Sequence, residues 1–352
     1  MIIEQFLPAF HYGDATSNSS VAFHEYLVAN GIESRIITLT SDKRVVEKVT
    51  LFKDYKEKKE SIKILHFAIP SLLTDFFRSV KGKKILIYHN VTPSVFFTDY
   101  SEFLTRFTNE GRKHLSTLND SFDISIGVSE FNASDLKDLK FRNVKVFPLI
   151  INLKDYDAPY SKGYYNLIKD ERRNILCVGR VAPNKKIEDA IKMLFFYKKY
   201  LSPSIRLIVA GNIKSVPKYF AAVRDLASRF YLTSDDILFT GHINFEEFLS
   251  VYNLADVYLS MSEHEGFCLP VIESFKMDVP VVAYDAGAIR QTVGNGGLIF
   301  DSKDPEKVAG TLEYVINNKK TKDKLITAGR EKLREYSLAS HPSKLLDLLK
   351  SV

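Results

Sequence analysis

"VYLSMSEHEGFCLPVIESFKMDVPVVAYD", residues 257–285, decides the fold. It opens on an alternating apolar run, "VYLSMS", that reads as a strand. A polar loop follows, centred on Glu263, His264, Glu265 and Gly266. Pro270 suits the first turn of a helix, where its missing N–H costs nothing. The helix "PVIESFKM" stops before Asp278, and "VPVVAY" is again a buried strand. Strand, loop, helix and strand in that order form the repeating unit of a parallel sheet.

The same alternation runs outward in both directions. Towards the N-terminus lie the strand-like runs "ILFTGHI", "IRLIVAG" and "NILCVGR", and towards the C-terminus "GLIF". After "NILCVGR", residues Ile187, Ala190, Ile191, Leu194 and Phe195 recur at helical spacing and predict a core-facing helix. Further upstream, "MIIEQFLP", "SRIITLT", "IKILHFA", "KILIYHN", "ISIGVS" and "VKVFPLII" alternate with helical stretches in the same way. Continuous apolar strands separated by helices predict parallel sheets buried on both faces. Residues 152–174 are polar, hold Pro and Gly and lack a period, so they read as a linker. The expected fold is α/β, with two Rossmann-like doubly wound domains facing across a cleft. The N-terminal domain is placed at 1–160 and the C-terminal one at 161–336. A final helix over 337–352 follows, its return to the N-terminal domain left open.

The totals agree with that picture. A length of 352 residues suits about two domains. Two distant cysteines, Cys177 and Cys268, exclude a disulfide framework and favour a reducing, cytoplasmic setting. No run approaches the roughly 18 apolar residues of a membrane span, and "MIIEQFLPAF" reads as a first strand rather than a leader. The net charge of +6 is mild and no stacking motif accompanies it, which argues against a nucleic-acid partner. The most basic stretch, residues 41–63, holds eight Lys/Arg against five Asp/Glu. It reads first as a solvated face and second as a weak membrane-surface patch.

In open parallel sheets, ligands bind beyond the carboxyl ends of the strands. Four such places hold suggestive residues. Gly13 lies in the turn after the first strand, where helix amides could face an anion. His89 ends "ILIYHN", and His66 is placed similarly but more weakly. Arg180 and Lys185, in "GRVAPNKK", join a forked donor and a point charge at a helix start, a combination suited to a diphosphate. The fourth place is the opening loop. Glu263, His264 and Glu265 are contiguous and lack metal-ligand spacing, so no metal is expected there. "DYD", Asp155 to Asp157, reads as a turn.

As an ordered set these segments resemble the family 4 glycosyltransferases of the GT-B fold. "GRVAPNKK" resembles the family's G-R-x-x-x-x-K segment, and "EGFCLPVIE" its paired glutamates separated by seven residues. The resemblance implies a retaining, metal-independent and cofactor-free transfer of a hexose-type sugar. The donor would be a nucleotide-sugar and the acceptor a glycan or lipid-linked glycan, at the cytoplasmic membrane face if the basic stretch binds lipid. It further implies that Arg180 and Lys185 hold the donor diphosphate and that Glu265 contacts the sugar hydroxyls. The amides of Gly266, Phe267, Cys268 and Leu269 would meet sugar and phosphate. Glu273 would bind the ribose, His89 would lie at the sugar, and Gly13 would shape the N-terminal loop. Phe96, Phe97 and Tyr100 follow His89 and could line an acceptor site, with core packing as their plainer role. Three departures stand out: Lys186 and Cys268 replace glycines common in the family, and the N-terminal loop has one glycine rather than two. A non-catalytic nucleotide-sugar-binding module on the same fold is the alternative reading.

Overall fold

Two all-parallel sheets carry the chain in the computed structural model, which describes residues 1–58 and 60–351. The first sheet contains β1 (Ile2–Phe10), β2 (Glu33–Ser41), β3 (Thr50–Leu51), β4 (Ser61–Phe67), β5 (Lys84–Tyr88), β6 (Ile124–Gly127) and β7 (Val144–Val146). The second contains β8 (Arg173–Val178), β9 (Ile205–Ala210), β10 (Ile237–Gly241), β11 (Val257–Ser260), β12 (Val281–Tyr284) and β13 (Gly297–Phe300). Their orders are β3-β2-β1-β4-β5-β6-β7 and β10-β9-β8-β11-β12-β13. Each is a doubly wound α/β sheet whose order reverses once, between β1 and β4 in the first and between β8 and β11 in the second.

The apolar strands pack as their composition requires. Phe6, Leu65, Phe67, Leu86 and Tyr88 join helix-borne Leu73, Phe77 and Leu115 in the first core. Buried polar residues interrupt this pattern, and the buried charge among them on β1 is paired. Glu4, fully buried on β1, binds Arg35, the Tyr55 hydroxyl at 2.9 Å and Ser61 Oγ at 2.5 Å. A buried charge left without such partners would be costly.

The chain forms two compact units. One comprises residues 1–95, 103–152 and 336–352, and the other 96–102 and 153–335. The boundary between the two units falls at Asn152/Leu153. The expected linker is ordered: Leu153–Asp157 is a 3₁₀ turn, and Ser161 caps the helix Lys162–Ile168. Asp155 to Asp157 is therefore helical, and its residues dock on the helix Leu269–Lys276 through Tyr156–Glu273 and Asp157–Lys276 contacts of 2.7 and 2.5 Å. At the other end, Tyr336 donates to the Leu149 carbonyl, and Leu345, Leu346 and Leu349 of the helix Pro342–Lys350 are buried in the first unit.

Other details differ from expectation. "VKVFPLII" yields only the three residues of β7, because Pro148 has no N–H to extend the ladder. β1 continues past Phe6 to Phe10, and the next helix begins at Ala15. Phe195 is only half-buried and stacks on Phe230 at 4.6 Å. Met193 and Tyr197 take core positions instead, because Ile187–Tyr200 packs against a second helix, Pro305–Asn317, as well as the sheet. Within residues 41–63 much of the basic charge is met locally: Arg44 pairs with Asp42, Lys58 with Glu33, and buried Lys63 with Glu57. Lys59 lies outside the described residues, as does Val352, the last residue of the expected final helix.

Candidate active site

The sheet reversal in the second unit selects the site. β8 and β11 are neighbours whose onward connections depart to opposite sides, so the loops leaving their carboxyl ends diverge. The loop after β8 carries Arg180 and Lys185. The loop after β11 carries Glu263 to Cys268 and leads into Leu269–Lys276. Residues 80 positions apart in sequence meet here: Lys185 Nζ donates to Glu265 Oε1 at 2.6 Å. Burial pulls the Lys185 pKa down, but the combined pull of its neighbours, Glu265 foremost, leaves it raised. Arg180 is exposed at the strand end and, among the described residues, forms no ion pair. The site therefore presents one cation already bridged to a carboxylate and a second that is open to an anion.

The backbone of this loop is held from three sides. Asn184 donates from Nδ2 to the His264 carbonyl at 3.2 Å and accepts from the Glu263 amide at 2.9 Å. The Ala288 amide donates to the Glu265 carbonyl at 2.9 Å, and Thr292 Oγ1 to that of Phe267 at 2.6 Å. Gly287 is needed for the approach. It has φ +56°, and a Cβ there would lie 2.4 Å from the Glu265 oxygen. The two residues that replace the family's glycines keep a glycine-like backbone: Lys186 has φ +52° and Cys268 φ +70°. A side chain in that region costs about 1–2 kcal/mol. Lys186 is steadied by ion pairs to Glu263 and Glu188, and Cys268 by burial beside Tyr258. Glu263, with Lys186 on one side and Lys303 at 2.8 Å on the other, is part of a surface ion network. His264 lies 6.1 Å, ring to ring, from Phe96, in the short 96–102 segment that belongs to this unit. In that segment Phe97 is buried and Tyr100 packs edge-on against Tyr219 at 5.1 Å.

Glu273 sits in the second turn of Leu269–Lys276 and is 7% exposed. Each carboxylate oxygen takes a tyrosine hydroxyl, Tyr156 at 2.7 Å and Tyr252 at 2.8 Å. A carboxylate oxygen has two lone-pair sites, so both oxygens can still accept a further hydroxyl. Burial raises the Glu273 pKa, and the two tyrosines and Lys185 only partly offset it. A carboxyl raised in the folded state contributes stability that is full at acid pH and is lost as pH rises through its folded pKa. Glu273→Gln should therefore melt higher than wild type near neutral pH, with the difference vanishing at acid pH. A gain that persisted in acid would assign the effect to packing and not to charge.

The remaining candidates lie in the first unit. Gly13 is exposed, with φ +77°, in the turn after β1. The next helix start is already capped: Asp14 accepts from the Ser17 amide at 3.0 Å, so an anion there would compete with a resident carboxylate. His89 follows β5, with its Nε2 2.9 Å from His66 Nδ1. Burial pushes the His89 pKa down to about 3, so the ring is neutral at physiological pH. Among the described residues, no group of three or more His, Cys, Asp and Glu is gathered as a metal site would require.

Sequence reasoning did not find Tyr156, Tyr252, Asn184 or Gly287. Only the last carried a signal, as part of a glycine loop following a strand.

Two all-parallel doubly wound sheets, with basic and acidic residues converging at the reversal of the second, are the architecture of the GT-B fold. Residues 165–332 match the family model "Glycosyl transferases group 1". The matched residues include Arg180, Lys185, Glu265 and Glu273, and the family model together with the relatives supports a family 4 glycosyltransferase of the GT-B fold. Among its relatives is the serotype-specific mannosyltransferase WbdA of Escherichia coli, 22% identical over 163 residues, which are 45% of this chain and 20% of that protein. The chain thus spans about a fifth of that relative's length. An uncharacterized glycosyltransferase of Methanocaldococcus jannaschii is 25% identical over 70% of this chain and 64% of its own. Among solved structures, HepE of Anabaena in complex with UDP and glucose superposes with a TM-score of 0.76 at 12% identity, over 99% of both chains.

Proposed function

We propose that this glycosyltransferase moves a hexose-type sugar from a nucleoside diphosphate donor to a hydroxyl of a glycan or lipid-linked glycan, with retention and without a metal. The observation that carries this reading is the meeting of Lys185 with Glu265 beside the open Arg180 at the sheet reversal. The UDP and glucose in HepE and the mannosyl transfer named for WbdA support the donor class.

The chemistry follows from charge. As the bond from the anomeric carbon to the diphosphate oxygen breaks, negative charge builds on the leaving group and positive charge on the sugar. Arg180 and Lys185 supply fixed cations for the first, which no longer needs a metal. Glu265, bridged to Lys185, is placed to accept sugar hydroxyls, and the amides of Gly266 to Leu269 line the same loop. Glu273 takes the ribose hydroxyls while its two tyrosines hold it in place. The acceptor oxygen attacks on the face that the diphosphate leaves, and its proton is within reach of the departing phosphate oxygen. No protein nucleophile is then required, and His89, neutral, serves as a hydrogen-bonding group at the sugar. Gly13 shapes the loop after β1.

The cytoplasmic membrane face is the proposed location for a lipid-linked acceptor. Among the described residues, no helix is long and apolar enough to cross a membrane. The test is a panel of nucleotide-sugars with free and lipid-linked glycans, read by mass spectrometry with and without EDTA. One donor should give a product whose yield EDTA leaves unchanged and whose linkage keeps the donor's anomeric configuration. Loss of turnover in EDTA, or inverted product, would overturn the mechanism. Tight donor binding with neither transfer nor slow hydrolysis would favour a binding module.

A further inference from the structure

Behind His89 the first unit holds a polar row that the mechanism above does not use. It comprises Gln5 on β1, Ser20 on the helix Ala15–Ala29 and His66 on β4. Gln5 and Ser20 are fully buried and His66 is 3% exposed. Its hydrogen bonds can be directed without ambiguity from one fixed point. The Ser20 backbone carbonyl can only accept, and it lies 3.0 Å from the Gln5 amide nitrogen. The amide orientation is therefore set, and Gln5 Oε1 faces His66 Nε2 at 3.1 Å. An amide oxygen cannot donate, so His66 Nε2 carries a proton. Ser20 Oγ, 3.4 Å from the same nitrogen, gives its own proton to the Thr16 carbonyl at 2.9 Å, so it too accepts from His66.

His66 Nδ1 and His89 Nε2 are 2.9 Å apart, and one of them must donate. Burial, then the neighbouring His89, hold His66 well below the ordinary imidazole pKa, so its ring is neutral. With the single proton on Nε2, its Nδ1 is a bare lone pair. His89 must then donate from Nε2. In the neutral His89 ring the lone pair is left on Nδ1, where among the described residues no hydrogen bond occupies it.

We infer that Gln5 and His66 are positioning residues that lock His89 in its Nε2–H tautomer, so that Nδ1 meets the bound sugar as a hydrogen-bond acceptor. The inference rests on the proposed place of His89 at the donor sugar. Its consequence concerns substrate class. An acceptor nitrogen takes a sugar hydroxyl, and it rejects a group that can only accept, such as the carboxylate of a uronic acid. At this contact the row selects a hydroxylated neutral hexose.

The test is long-range ¹H–¹⁵N NMR of the full chain labelled in histidine, near neutral pH, with His89→Gln to assign the His89 signals. Both rings should show the neutral Nε2–H pattern. A proton on His89 Nδ1, or a doubly protonated ring, would overturn the inference with no need of an activity assay. Gln5→Met removes the acceptor that holds the His66 proton. It should move the His89 proton towards Nδ1 and lower kcat/KM for transfer by about ten-fold, the low end of what loss of an orienting partner costs. A Gln5→Met protein with an unchanged tautomer pattern would refute the positioning role. If the wild-type pattern is as expected but His89→Gln transfers sugar at the wild-type rate, the tautomer stands and the place at the sugar fails, which refutes the substrate consequence.

Discussion

Lys185→Ala should lower turnover by about 10²–10³, the usual cost of removing one group that stabilises charge developing on a departing oxygen. On the proposed mechanism two losses combine in that variant. The leaving diphosphate keeps only Arg180, and Glu265, 8% exposed, loses the ammonium 2.6 Å away. Stranding one half of a fully buried pair costs about 3–5 kcal/mol. The Lys185 side chain retains 18% exposure, so water screens part of that and the stability loss should be smaller. Lys185→Met keeps the stem against Gly179 while deleting the charge, so it isolates these two charge losses from any loss of packing. Turnover measured by product mass spectrometry should fall equally in both variants. Wild-type turnover in Lys185→Met would remove Lys185 from the leaving-group role.

Gly287→Ala should act through the backbone and cripple the same site without touching a charged group. The added carbon would sit 2.4 Å from the Glu265 oxygen, at a φ of +56° that side chains avoid. Strain and displacement together should cost about 2–4 kcal/mol. The melting temperature should drop, and donor turnover should drop further because the Glu265 loop shifts away from Lys185. Gly310→Ala is the control. It lies in the helix Pro305–Asn317 with open space around its Cβ position, and the usual helix preference predicts a neutral or slightly stabilised protein. Equal melting temperatures for the two variants would mean that the loop tolerates the intrusion.

What could be read in advance follows from the range of the forces involved. Strand and helix periodicity is local, so every expected strand exists and the reversal at β8 and β11 follows from their order. The position of Arg180, Lys185 and Glu265 beyond strand ends is legible because strand ends are recognisable and charged side chains there are conspicuous. The partners of Glu273 were not. Tyr156 is 117 residues away and Tyr252 is 21, and nothing in either tyrosine's neighbourhood distinguishes it from a core aromatic. The same blindness misread residues 152–174. Their polarity suggests a linker, but order there comes from contacts with a distant helix. His66 looks weaker than His89 when each is read singly, whereas its importance lies in the hydrogen bond between them.

The two cysteines are alike chemically and unlike in position. Burial pushes both thiols up to about 12, which leaves a vanishing thiolate fraction at neutral pH. Cys177 is held within β8 between β9 and β11, where exposure requires the sheet to come apart. Cys268 sits at the left-handed joint between the Glu265 loop and its helix, where a local opening suffices. Native alkylation of the two sulfurs therefore runs on separate clocks. Cys268 times the breathing of the loop, Cys177 times the unfolding of the unit, and a bound donor that stills the first can be detected without following catalysis.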